Sequence, residues 1–135
     1  MPGSFFDTNV LLYVVSGDSA KADRAETLIG KGGAISVQVL NEIANVCRRK
    51  MGMSWAETHA LLATVRGLLP VHPIGIKTHE TGLALAERYS LSLYDAMIAA
   101  SALLADCDIL WSEDMQDGMM IEGGPRVLNP FRTVN

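Results

Sequence analysis

An α/β fold built on a parallel sheet is what this chain of 135 residues predicts, and three observations predict it. Short apolar runs, such as Phe5-Phe6, Ala34-Ile35-Ser36-Val37 and Ile109-Leu110-Trp111, alternate with longer stretches whose apolar residues recur at helical spacing. The runs are nearly continuous in apolar character, as strands covered on both faces are. An acid, Asp7, follows the first run where a strand should hand over to a helix. In an open parallel sheet ligands sit beyond the carboxyl ends of the strands, so an acid there faces a crevice.

In chain order, strand one ends at Asp7 and a short helix continues to Val15. Gly17-Asp18-Ser19 supplies a turn and an N-cap for a helix over 20–29, which Gly30, Gly32 and Gly33 end. The strand over 34–37 leads straight into a helix over 38–50. Val39, Leu40, Ile43, Ala44, Val46 and Cys47 make its apolar face, and Glu42, Asn45 and Arg49 form a polar margin beside it. Ser54-Trp55-Ala56-Glu57 is a capping box opening a helix that runs to Leu69 and closes at Pro70. Val71-His72-Pro73-Ile74 reads as a short edge strand, because its proline removes a ladder donor. A helix over 77–89 follows, with Leu83, Leu85, Ala86 and Tyr89 mostly buried. Ser92-x-x-Asp95 opens the next helix, which reaches Ala105 and whose many alanines let it lie close to the sheet. The last strands fall over 108–111 and, after the Gly123-Gly124-Pro125 turn, over 126–128, with Phe131 packing back on the core.

The length fits a single domain over 1–135, large enough to bury a core without disulfides. Cys47 and Cys107 show no paired spacing and read as reduced, buried thiols of a cytoplasmic protein. His59, His72 and His79 share no ligand spacing, which leaves zinc and histidine catalysis without support. No apolar run is long enough to span a bilayer, so no membrane partner is expected. The net charge of −4 argues against a surface that grips nucleic acid everywhere, yet it leaves room for an enzyme with clustered acids and a basic rim.

Four acids fall at strand ends or in the first turns of the following helices: Asp7, Glu42, Asp95 and Asp114. Each has an ordinary alternative. Glu42 fits a solvated helix face, Asp95 a helix cap, and Asp114 a surface turn. Their coincidence in position is what points to a site. Two carboxylates held ~4 Å apart repel by roughly 4 kcal/mol at an effective dielectric of 20. A cluster of that kind is best explained by a hard divalent cation, and oxygen ligands without imidazole or thiolate suit Mg²⁺ or Mn²⁺. The chemistry then expected is metal-assisted hydrolysis of a phosphodiester. No covalent nucleophile motif and no Walker A sequence is present.

The stretches FFDTNVLLY at 5–13, VLNEIANV at 39–46, RYSLSLYDAMIAASA at 88–102 and LWSEDMQDG at 110–118 carry a resemblance to the PIN-domain endoribonucleases. Within these the chain most closely resembles the VapC-type toxins of bacterial toxin–antitoxin modules. The resemblance implies a three-layer fold with a central parallel sheet of four to five strands flanked by helices. It implies Mg²⁺ or Mn²⁺ held by Asp7, Glu42, Asp95 and Asp114, with Asp117 as a further ligand. Thr8, Asn9 and Ser112 match polar positions that orient the site. The implied activity is cleavage of RNA, often structured RNA such as tRNA, with a cognate antitoxin blocking the pocket and the toxin forming a homodimer. Many relatives place an aromatic shortly after the fourth acid, whereas Met115-Gln116-Asp117-Gly118 follows here. Arg49 is the candidate rim contact to phosphate, although Arg48, Arg49 and Lys50 together also suit a helix C-terminus.

Two readings compete with a nuclease. A non-catalytic module of the same fold would bind RNA or a protein without cutting. A small phosphatase or receiver domain would use an acidic Mg²⁺ pocket, but the chain lacks a second Asp two residues after Asp7.

Overall fold

The computed structural model describes residues 3–132. Eleven elements follow one another: β1 (Ser4–Phe6), α1 (Thr8–Val14), α2 (Ser19–Gly30), β2 (Ile35–Ser36), α3 (Val37–Arg49), α4 (Trp55–Leu68), β3 (Val71–His72), α5 (Ile76–Tyr89), α6 (Leu93–Leu104), β4 (Ile109–Trp111) and β5 (Arg126–Leu128). Each predicted strand and helix is present, with ends moved by a few residues.

All strand pairings in the ladders are parallel. The laddered sheet has three strands in the order β1-β4-β5, and β2 and β3 form a separate pair. This corrects the expected four to five strands in one sheet. A single bridge between Phe5 and Ala34 joins the two groups, with Phe6 N donating to Ala34 O at 3.1 Å and Ala34 N donating to Ser4 O at 2.9 Å. In space the strands therefore line up as β3-β2-β1-β4-β5.

That order sets the place of the site. From β1 the chain moves outward to β2 and β3, then returns across the sheet to β4 and moves outward to β5 on the other side. The reversal lies between β1 and β4, and in such sheets the crevice opens there at the carboxyl ends. Those ends are Phe6 and Trp111, directly paired, with Asp7 and Ser112 next in the chain.

Burial explains why β1 is central. Phe5 and Phe6 point to opposite faces of the sheet, as successive strand residues must, and neither has exposed surface. Each buried ring is worth about 1.5–3 kcal/mol over its exposed state. Helices therefore cover both faces. On one of them α6 buries Ala96, Ile98, Ala99, Ala100 and Ala102 completely. At Gly82 of α5 an added Cβ would lie 2.6 Å from the Met97 methyl of α6, so the missing side chain leaves room for Met97 to lie where it does. Leu83, expected inside, is exposed: α5 buries Thr78, Gly82 and Leu85, one stripe at helical spacing that leaves position 83 on the far side. Both cysteines are buried and free, and Phe131 packs edge-on against Tyr13 at 4.7 Å between ring centres. Among the described residues, no helix is long and apolar enough to cross a membrane.

Candidate metal centre

Asp7 ends β1 and caps α1, with one carboxylate oxygen accepting from Thr8 N at 2.7 Å. The other oxygen accepts from Ser112 Oγ at 2.6 Å and from Asn9 Nδ2 at 3.2 Å. Asp7 is 3% exposed, so its charge is held by dipoles rather than by water.

Ser112 follows β4 and is fully buried. Its hydroxyl donates to Asp7 and accepts from Met115 N at 3.2 Å, which folds the loop after β4 into a tight turn beside β1. Asn9 completes that connection. Its amide donates to Asp114 Oδ2 at 3.0 Å, and its carbonyl oxygen accepts from Glu113 N at 3.2 Å. The first-strand motif thus determines where the fourth acid stands, more than a hundred residues later in the chain.

Glu42 comes from α3. Thr8 Oγ1 donates to one of its oxygens at 2.8 Å, and Gln38 Nε2 donates to the other at 2.9 Å. Gln38, Asn41, Glu42 and Asn45 sit at i, i+3, i+4 and i+7, so α3 turns a polar stripe toward the crevice while Val39, Ile43 and Cys47 enter the core. Asp95 stands in the first turn of α6, where its amide donates to Ser92 Oγ at 3.2 Å. The cap is real, as one sequence alternative held, and the carboxylate still lines the crevice.

Asp7, Glu42, Asp95 and Asp114 therefore face one cleft of about 600 Å³. Exposure grades from buried Asp7, through half-buried Glu42 and Asp95, to exposed Asp114. Burial pushes the Asp7 carboxyl up to about 6, against hydrogen bonds from Ser112 and Thr8 that pull it down, and the charges of Asp95 and Glu42 push it further. Asp95 is raised too, first by burial and then by the charges of Glu42 and Asp114, with Ser92 opposing. The charged forms of Asp7 and Asp95 are thus disfavoured first by burial and then by neighbouring acids.

The donor set fits a hard cation: the acids supply oxygen, and neither histidine nor cysteine lines the cleft. Among the described residues, no three acidic, histidine or cysteine side chains are gathered closely enough to enclose an ion as they stand. Neutral groups on Thr8, Asn9, Gln38 and Ser112 hold three of the four acids by hydrogen bonds instead.

Two expected site residues stand elsewhere. Asp117 accepts from Asn129 N at 2.8 Å and pairs with Arg132, so its carboxylate ties the loop to the end of the chain and does not line the cleft. A hydrogen-bonded amide and a guanidinium pull its carboxyl below the usual range. Arg49 lies one turn past Asn45 on α3 and lines an adjoining groove with Arg48 and Trp55 rather than the cleft. The cation that does line the cleft is Lys50. Sequence reasoning passed over it, and over Gln38 and Asn41. Extending the polar stripe of α3 back from Glu42 is the signal that would have found Gln38 and Asn41, whereas Lys50 follows the helix and lies off that stripe, which forward extension carries to Arg49 instead.

A PIN-domain family profile matches residues 4–116, which take in all four acids. The chain belongs to the PIN-domain family. No curated protein matches its sequence. Solved structures resemble this PIN domain over most of their length. One is a toxin–antitoxin complex from Klebsiella pneumoniae, at TM-score 0.73 and 23% identity, covering 96% of this chain and 99% of that one. Another is VapBC2 from Rickettsia felis bound to a DNA fragment from its promoter, at TM-score 0.68 and 19% identity, covering 93% and 97%. A third is VapC20 of Mycobacterium tuberculosis, a toxin that cleaves the sarcin–ricin loop, at TM-score 0.66 and 18% identity, covering 82% and 89%. At these identities the likeness establishes a shared fold.

Proposed function

We propose that this PIN domain is a Mg²⁺- or Mn²⁺-dependent endoribonuclease and the toxin of a VapC-type toxin–antitoxin pair. The observation that carries the reading is the buried carboxylate of Asp7 at the sheet's reversal point, facing the same cleft as Glu42, Asp95 and Asp114. The similarity to solved toxin–antitoxin structures supports it, and with it come an RNA substrate, a cognate antitoxin, a homodimer and a cytoplasmic setting.

Asp7, Glu42, Asp95 and Asp114 would hold the cation. When bound, the ion lowers the pKa of a coordinated water and offsets charge on the phosphate. The chain's own residues do the rest. Ser112 and Thr8 keep both oxygens of Asp7 in fixed directions. Thr8 and Gln38 do the same for Glu42, which orients the attacking water or ligates directly. Lys50, which lines the same cleft, takes the phosphate contact first assigned to Arg49.

Cleavage of total RNA with Mg²⁺ and with EDTA tests the proposal, alongside Asp7→Asn and Asp95→Asn proteins. Metal-dependent cutting that both substitutions abolish is expected. If either substituted protein cuts as fast as the parent, the mechanism fails. RNA binding with no cutting under any divalent ion would instead mark a non-catalytic module.

A further inference from the structure

Beside the acid cleft lies a second cavity of about 400 Å³, lined by Asn41, Ala44, Asn45, Arg48, Arg49 and Trp55. Three features set it apart from an ordinary solvated helix end. Trp55 is 62% exposed, although an indole of that size normally finds cover in the core or at an interface. The Arg48 guanidinium lies 4.2 Å from its ring centre and is braced by a 2.6 Å bond from Nη1 to Met53 O, so aromatic and cation are fixed as one unit. Asn41 and Asn45 line both this groove and the acid cleft, which makes the two cavities neighbours along one helix.

The charge pattern is equally uneven. In a chain of net charge −4, Arg48, Arg49 and Lys50 put three cations in sequence at the end of α3. About two turns of helix separate them from Glu42, and Lys50 reaches the cleft itself. A polyanion entering the cleft therefore meets its positive charge on this side. Complementing the α3 dipole would account for the cations. It would not account for an exposed indole held under one of them.

We propose that this groove is a subsite for one unpaired nucleotide of an RNA strand running through the acid cleft, its base stacked on Trp55 and its phosphate held by Arg48 and Arg49. Aromatic platforms flanked by arginine take any base by its π-face, and they require that the base be out of a duplex. The inference rests on the proposed RNA substrate and adds to it a path for the strand along α3 and a demand for single-stranded character beside the cut.

The test is binding of a fluorescently labelled single-stranded RNA, and of a duplex of equal length, to the Asp7→Asn protein by anisotropy over a range of salt. Adding Trp55→Ala is expected to weaken the single strand about tenfold or more and to leave the duplex unchanged, with Trp55→Phe restoring most of the loss. Arg48→Ala is expected to lower the salt slope by about one contact. Equal affinity for the single strand with and without Trp55 overturns the subsite. So does a change of oligomeric state in light scattering with RNA affinity intact, because the groove would then be an interface between copies of this chain. Cleavage by the wild-type protein is scored separately. Trp55-dependent binding without any cutting upholds the subsite and removes the nuclease, and cutting without Trp55 dependence does the reverse.

Discussion

Two sets of acids, which meet in the loop after β4 at Glu113 and Asp114, behave oppositely. On the flank, Glu113 pairs with Lys21 at 2.6 Å and accepts from Tyr13 at 2.7 Å, while Asp117 pairs with Arg132. Despite some burial, Glu113 is pulled below its usual range by Lys21 and Tyr13, and Asp117 is lowered by the Asn129 amide and Arg132. In the cleft, burial pushes up both Asp7 and Asp95, and neighbouring acids add to it, Asp95 and Glu42 for Asp7 and Glu42 and Asp114 for Asp95. Neutral hydrogen bonds hold the cleft acids in place and leave their charge uncompensated. The lesson is that sequence proximity says little about role. Glu113 and Asp114 are neighbours in one loop, yet one closes an ion pair and the other faces the cleft.

The sharpest way to break this contrast is to neutralise one acid from each set. Asp7→Asn is expected to lower RNA cleavage by more than about a hundredfold, beyond what loss of an orienting neighbour usually costs. Asp117→Asn is expected to leave the rate essentially unchanged. Comparable losses in both would mean that the two sets do not differ in function.

Stability against pH in EDTA separates the sets next. The folded protein holds the Asp7 proton more tightly than the unfolded chain does, since burial carries this carboxyl from 3.8 to about 6. Its stabilising contribution is therefore complete below about pH 4 and is lost as pH rises through 6. The difference is on the order of 3 kcal/mol across that window. The lowered flank acids act the other way, losing their contribution as pH falls through their folded values. Chemical denaturation from pH 4 to 8 should show a smaller decline between pH 4 and 6 in the apo Asp7→Asn protein, with the part due to Asp95 remaining. Superimposable curves for it and the parent would contradict the strain assigned to the cleft.

Divalent cations should then relieve that strain. At a hundredfold excess over its dissociation constant, Mg²⁺ or Mn²⁺ is expected to stabilise the parent by about 2.7 kcal/mol, read as a rise in melting temperature. The rise should shrink in Asp7→Asn and persist in Asp117→Asn. An identical rise in all three proteins would place the ion elsewhere. The smallest effect is expected on the flank: Arg132→Ala removes an exposed partner and should lower the melting temperature by a few degrees at most, with cleavage unaltered.

Much of the fold could be read along the chain because its signals are local. The Ser54 and Glu57 box forms as written, Ser92 caps α6, and Asp18 caps α2. The strands were legible by their apolar runs, but their grouping into three and two was not. That division depends on how much of β2 reaches β1, and one bridge at Ala34 decides it. The position of Leu83 failed for a related reason, since a helix carrying apolar residues on more than one side does not say which side has a neighbour.

By itself, the sequence determined the order of elements, the α/β class and the four candidate acids at strand ends and helix starts, because capping, helical periodicity and strand-end placement are written within a few residues. Only the tertiary structure decided which acids share a space and which find cations. Asp117 left the site through Asn129 and Arg132, Lys50 replaced Arg49 as the cleft's cation, and Asn9 took hold of Asp114 across the sheet. Those choices depend on distances between segments up to about a hundred residues apart, and electrostatic energy follows distance and burial rather than position in the chain.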